Sequence, residues 1–574
     1  MSTLNGSNSI AGNSLPKWQV ALFVGAPIAF GLGYIYYKNN TKPSSKPSRG
    51  KNKNSVEENG TARNQQISID EECNLSNSNV LKEVPLMKAQ KCKNLGNSHF
   101  RIGKYDEAIA EYNNAIDACP KENKEELATF YQNRAAAYEH LRKYNSVKED
   151  CTKALELKPK YAKALLRRAR ALEQTNELES ALEDVTVACI LEGFQNHTAL
   201  IMADRVLKHL GKQHAQEHLA KKKFIMPSKH FIQTYKTSFN EDPVFILVDK
   251  PLESIHHLLQ NAIIALKEQN FDDIILICTQ QLKEIEDEKD EYYMDLILLR
   301  ATFSLLLGKH EDAFTDFETI ITSRSASVKT KVNALIKRAT LYMQMESVEK
   351  CYNDFTAAER LNPKCTDIYH HRGQVNLLLE KIIEAKADFE KAIMLNPNYG
   401  VIYVQKCYAD YRYAIMQKEM DLLSASMKKF EEACQKFPDC SECYVLYAQL
   451  LSETQDYQKA DIYFAKAIEK DPKNATIYVH RGLLQLQWNA NMVKAIEYIK
   501  TALELDDKCE FGYETLGTIE VQRGNLKEAI ELFDKALALG RTSMELTHIF
   551  SLRDAAKSQL SIKEKLGPDF ILNL

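Results

Sequence analysis

The sequence predicts an all-α solenoid of stacked two-helix repeats, and three observations carry the prediction. A set of small, aromatic and proline positions recurs every 34 residues: Gly96, Ala108, Tyr112, Ala115 and Pro120 open the series, and Ala135 to Ala169 is one full step. The phase returns far downstream, where Ala339, Phe355, Ala358 and Pro363 repeat as Gly373, Phe389, Ala392 and Pro397, again 34 apart. Finally, Gly and Pro are scarce, 20 and 15 in 574 residues, while Tyr is common at 27, which suits helices packed through aromatic rings.

Each repeated position has a mechanical reason. Small residues let two antiparallel helices approach closely, the aromatic ring fills the gap toward the next repeat, and the proline stops the second helix. One such unit cannot bury its apolar face alone, so copies stack and leave a concave groove. The pattern resembles the tetratricopeptide repeat, with about ten or eleven copies expected. Clear copies carry Ala448, Ala460, Phe464, Ala467 and Pro472, then Gly517, Ala529, Phe533 and Ala536, with weaker ones near 255–285 and 400–438. Between Gly193 and Asp249 the phase is lost: Asp204–Lys223 reads as a basic helix and Pro227–Pro243 as a loop. The break separates a block of three repeats from a longer block of seven or eight. Glu545–Lys565 reads as a capping helix that closes the last repeat.

Upstream of the repeats, Trp18–Tyr37 runs for 20 residues without a charged side chain. As a helix it is about 30 Å long, the thickness of a bilayer's hydrocarbon core. Lys17 alone precedes it, whereas Lys38, Lys42, Lys46, Arg49, Lys51 and Lys53 follow before the first acid, Glu57. Positive flanks stay in the cytosol, so the C-terminal bulk is expected there. The polar stretch that follows, rich in Asn, Ser, Lys and Pro, buries too little apolar surface to fold and reads as a flexible tether.

Several classes are disfavoured. A net charge of −3 argues against a bulk nucleic-acid binder. The 13 cysteines have no pairing rhythm and read as reduced thiols, and Cys440 with Cys443, lacking two further ligands at suitable spacing, reads as packing rather than as a metal site. No phosphate-binding, dinucleotide, nucleophile-elbow or zinc-protease motif is present, and the repeats consume nearly all of residues 89–565. Neither an enzyme nor a cofactor is expected.

The first block carries the sharpest constellation. Lys93 and Asn97 lie one turn apart on the first helix of the first repeat, Asn133 takes the matching place in the second, and Lys163 and Arg167 are again four apart in the third. First helices line the groove, so these donors converge. Point charges, a planar fork and carboxamides together suit a ligand with two close carboxylates, such as a chain ending in Asp. The neighbour Arg168 reads as a surface charge. The five residues resemble the carboxylate clamp of chaperone-binding tetratricopeptide domains. That resemblance implies binding of the Glu-Glu-Val-Asp tails of the seventy- and ninety-kilodalton cytosolic heat-shock chaperones.

Local strings extend a second resemblance over nearly the whole chain. They include Thr129-Phe-Tyr-Gln-Asn-Arg-Ala-Ala-Ala-Tyr138, Cys189-Ile-Leu-Glu-Gly-Phe-Gln-Asn196, His370-His-Arg-Gly-Gln374 and Phe550-Ser-Leu-Arg-Asp-Ala-Ala556. With the anchor, tether, clamp block and long second block, they make the chain similar to the seventy-kilodalton import-receptor family of the mitochondrial outer-membrane translocase. The resemblance implies a short intermembrane-space tail (1–17), a transmembrane signal-anchor (18–37), a tether (38–85) and a clamp block (86–194). A linker with a helix (195–249) and a precursor-binding block (250–574) follow. It also implies partners: the chaperones, carrier-type precursor proteins with internal signals, other translocase subunits and the bilayer, with no nucleic acid. Groove-facing candidates for precursor in the second block are Ile336, Thr340, Tyr369, His370, Gln374, Tyr403, Tyr444 and Tyr478. The anchor and clamp alone also suit a co-chaperone or adaptor at another membrane, such as the endoplasmic reticulum.

Overall fold

The computed structural model describes residues 85–284 and 291–566. The expected tail, the anchor at 18–37 and the tether up to 84 lie outside the described residues. Among the described residues there are 25 α-helices, two short 3-10 turns and no strand, and no helix is long and apolar enough to cross a membrane. The fold is the expected tetratricopeptide solenoid. The described chain divides into two compact units between Leu200 and Ile201.

The N-terminal unit is three helix pairs: α1 (Pro85–Arg101) with α2 (Tyr105–Ala118), α3 (Lys124–His140) with α4 (Tyr144–Leu157), and α5 (Ala162–Gln174) with α6 (Leu178–Leu191). Gly103 turns the chain between α1 and α2 at φ +82°, a backbone region that favours glycine.

The C-terminal unit holds most of α7 (His197–Lys221), then α8 (Lys229–Thr237) and eight further pairs. These are α9 (His257–Lys267) with α10 (Ile274–Glu284), α11 (Glu291–Leu307) with α12 (His310–Thr322), α13 (Val328–Gln344) with α14 (Val348–Leu361), and α15 (Thr366–Leu378) with α16 (Ile382–Leu395). Next come α17 (Gly400–Gln417) with α18 (Met420–Lys436), α19 (Ser441–Glu453) with α20 (Tyr457–Lys470), α21 (Ala475–Asn489) with α22 (Met492–Leu505), and α23 (Glu510–Gln522) with α24 (Leu526–Leu539). The cap α25 (Ser543–Leu566) follows. The two weakly patterned stretches are thus full helix pairs.

The small positions act as expected, but the aromatic position packs differently. A Cβ added at Gly96, Gly373 or Gly517 would come within 2.7, 2.9 or 2.8 Å of the rings of Tyr112, Phe389 or Phe533. Each ring therefore seals its own repeat, lying on the first helix's glycine, rather than only filling the gap to the next repeat.

A second device inside the repeats corrects the reading of Arg168. Its guanidinium grips Asp184 through Nε and Nη2, both at 2.7 Å. Arg134–Asp150, Arg300–Asp316, Arg338–Asp354 and Arg372–Asp388 repeat the bidentate pair at the same 16-residue spacing. Asp184 is only 6% exposed. These are staples between the two helices of a repeat, not surface charges. Removing one partner strands the other in a low-dielectric site at a cost of about 3–5 kcal/mol. The partial exposure of Arg168 places Arg168→Met near the low end, so urea unfolding should show a loss of about 3 kcal/mol.

The largest departure from expectation is the segment read as a linker and loop. Ser228 caps α8 by accepting from the Phe231 N–H. Around α8 the chain runs as a strap along the first helices of the second array. Lys222 donates to the Leu537 carbonyl, Lys508 to that of Met226, and the Tyr399 hydroxyl to that of Thr237. The Asp367 carboxylate accepts from the N–H groups of Asn240 and Glu241, both at 2.9 Å. Met226, Ile232, Tyr235, Phe239, Val244 and Phe245 of the strap belong to the unit's main apolar cluster. Each such side chain contributes about 1.5–3 kcal/mol on burial.

An ion pair pins the strap's end. Lys337 Nζ lies 2.7 Å from Asp242 Oδ2 and 2.8 Å from the Thr302 hydroxyl, with both charged side chains 1% exposed. Asp242 Oδ1 meanwhile accepts from the N–H groups of Val244 and Phe245. Lys337→Met, which leaves that carboxylate buried without its cation, should destabilise the C-terminal unit by about 3–5 kcal/mol. Adding Asp242→Asn removes the stranded charge and should recover at least half of the loss in denaturant unfolding.

Candidate ligand-binding sites

In the N-terminal unit the five clamp candidates all stand on first helices: Lys93 and Asn97 on α1, Asn133 on α3, Lys163 and Arg167 on α5. Two are in direct contact, the Asn133 carboxamide donating to Asn97 Oδ1 at 3.3 Å. The Tyr112 hydroxyl donates to the same oxygen at 2.8 Å, and burial pushes that phenol up to about 12, so it stays a donor. The ring that seals the first repeat thus also sets the orientation of Asn97. Lys93 is partly and Lys163 well exposed, and neither makes an ion pair among the described residues.

Arg167 is not an open cation. Its Nε lies 2.8 Å from Glu139 Oε2, and its Nη1 donates to the Gln132 carbonyl at 3.2 Å. Glu139 stands in the last turn of α3, six residues beyond Asn133, and is not among the residues the sequence pattern singles out. Its signal was there: an acid at a helix C-terminus, where the helix dipole disfavours it, needs a nearby cation.

In the C-terminal unit a groove cavity of about 570 Å³ lies between α7, α8 and the cap α25 on one side and the first helices of the array from α15 onward on the other. Its apolar wall includes Val404, Val445, Leu446, Ile477 and Phe511. Polar groups punctuate it, among them His480 and the contact of Glu514 with His548, 3.2 Å apart.

Of the eight precursor-groove candidates, the structure brings His370 and Gln374 to this cavity. Both bond Gln405 Oε1, at 3.1 and 3.2 Å. Burial pushes His370 down to about 4, which leaves it neutral at physiological pH. The others are placed differently. Ile336 is fully buried and Thr340 folds back on the Lys337 carbonyl. Tyr369, Tyr444 and Tyr478 donate to the carbonyls of Pro363, Pro438 and Pro472, six residues earlier in each case, so they lock each first helix to the loop before it. Tyr403 packs on Phe437 with Lys436 over its ring. The residues beside the tyrosines, Val404, Val445 and Ile477, reach the cavity instead. Adjacent helical residues diverge by about 100°, so these tyrosines turn away while the residue after Tyr403 and Tyr444, and the one before Tyr478, faces the cavity.

Tetratricopeptide-repeat family models match residues 89–122, 128–161, 366–399 and 441–474. The chain is 42% identical to the human mitochondrial import receptor subunit TOM70, across 96% of this chain and 93% of that protein. To the Saccharomyces cerevisiae (strain ATCC 204508 / S288c) protein of the same name it is 28% identical, across 82% of this chain and 80% of that one. The crystal structure of yeast Tom70 is also 28% identical, covering 83% of this chain and 96% of that chain with a TM-score of 0.47. With such identity to the human protein over almost the full length of both, the chain belongs to the TOM70 family of mitochondrial import receptor subunits.

Proposed function

We propose that this chain is a receptor on the cytosolic face of the mitochondrial outer membrane, anchored through residues 18–37, and that it reads two ligands of different chemistry. The N-terminal unit docks the Glu-Glu-Val-Asp tails of the seventy- and ninety-kilodalton chaperones through Lys93, Asn97, Asn133, Lys163 and Arg167. The C-terminal array accepts carrier-type precursor segments in its groove and passes them to the translocase. The observation that carries this reading is chemical contrast. The first helices of one unit present lysines, an arginine and paired carboxamides, whereas those of the other enclose a largely apolar cavity with a few polar fixing points. The first arrangement suits a short anionic chain end and the second an apolar or amphipathic segment. Both are binding geometries, so the protein is read as a carrier of contacts rather than of chemistry.

Two substitutions separate the ligands. Truncating one partner of a groove charge pair costs about 2–5 kcal/mol, so Arg167→Ala should weaken a chaperone-tail peptide by more than about tenfold while a precursor peptide binds as before. Val445→Asp, which sets a charge on the cavity wall, should reverse that outcome, with precursor peptide lost and tail peptide retained. Fluorescence anisotropy with the two peptides measures both. Parallel loss of both ligands in either variant would contradict the assignment.

A further inference from the structure

One of the five tail-site candidates, Arg167, already faces an anion. Glu139 lies between two arginines of the facing helix α5: its Oε2 is 2.8 Å from Arg167 Nε, and its Oε1 is 2.6 Å from Arg170 Nε. A further contact, Arg170 Nη2 to Oε2 at 3.4 Å, closes the pair. The Glu139 and Arg167 side chains are 24% and 16% exposed, so water reaches them but screens them incompletely. Burial works against the charged carboxylate, yet the hydrogen bonds and charges of Arg170 and Arg167 outweigh it and hold the carboxyl below its ordinary range. Glu139 is therefore ionised at neutral pH. Nothing in α3 itself favours it, because the last turn of a helix carries the negative end of the dipole.

An incoming carboxylate thus meets an arginine that already holds one. We propose that Glu139 is a built-in competitor of the tail-binding pocket: it neutralises Arg167 when the pocket is empty and opposes the ligand's carboxylates when it is filled. This deepens, and rests on, the reading of the pocket as a chaperone-tail site. The ligand class is a chain end with clustered carboxylates, so every ligand charge adds repulsion from Glu139. The consequence is a deliberately moderate affinity. A docking site that must let its carrier go gains fast release, since affinity changes within one interface appear mainly in the dissociation rate.

Glu139→Gln tests the idea, because the glutamine keeps an acceptor for Arg167 Nε while removing the charge. The full-length chain is titrated with a fluorescent peptide ending in Glu-Glu-Val-Asp, at several salt concentrations. The expected result is tighter binding by about three- to fivefold, the size of a part-exposed ion pair, a slower dissociation rate and a steeper salt dependence. Glu139→Ala, which removes charge and acceptor together, should tighten binding as well. Weaker binding in both variants would make Glu139 a support that aims Arg167, and would overturn the proposal. Equal binding by wild type and Glu139→Gln would overturn the competitor and leave the tail site standing. If neither chain binds the peptide, the two readings fall together.

Discussion

The contact on which the molecule depends is the close approach of two helices within a 34-residue repeat. At Gly96, Gly373 and Gly517 the first helix has no side chain, and an aromatic ring from the second helix occupies that space. A bidentate arginine–aspartate pair, 16 residues apart, joins the same two helices in five of the repeats. With repeats closed in this way, stacking is left to the flanking apolar faces, and the first helices line up along one surface. Both candidate sites are consequences. A residue at a given place on one first helix has counterparts on the next, so five side chains from three repeats can face one ligand. A row of first helices can likewise wall a long cavity.

The array is not an empty groove. The strap, from Lys222 to Phe245, lies along the first helices of the second unit, held by hydrogen bonds between side chains and backbone groups and by the Lys337–Asp242 pair. Burying that pair costs desolvation of two charges, which is recovered only because Thr302 and two backbone N–H groups complete their coordination. What remains open to a ligand is the space enclosed by α7, α8, the cap α25 and the later first helices. The strap therefore shapes the groove, supplying one wall through Phe231 and Thr234.

Much of this was legible in the sequence because it is periodic. The glycine, alanine, aromatic and proline positions keep phase over hundreds of residues, which gives the helix pairs, their order and the first-helix places of Lys93, Asn97, Asn133, Lys163 and Arg167. What was not legible lacks a period or depends on an angle. The strap occurs once, and its short α8 is marked only by the Ser228 cap, so the stretch looked like a loop. Tyr369, Tyr444 and Tyr478 are periodic, but they turn back to a proline carbonyl, and the neighbouring aliphatic residues face the cavity. Arg168 resembles a surface charge because a single arginine shows no partner, although the 16-residue spacing from arginine to aspartate recurs in the sequence. Glu139 gives little signal in the sequence by itself, because an anion is informative there only once Arg167 is placed beside it.

The central claim is that one chain holds two separate sites for two ligand chemistries, the first on three repeats and the second on the strap and later repeats. Hydrogen exchange of the full-length chain, followed separately with a chaperone-tail peptide and with a precursor peptide, tests it most directly. The account predicts that the tail peptide slows exchange in α1, α3 and α5, and that the precursor peptide slows it in α8 and in the first helices from α15 to α23. Protection of the same helices by both peptides would contradict it.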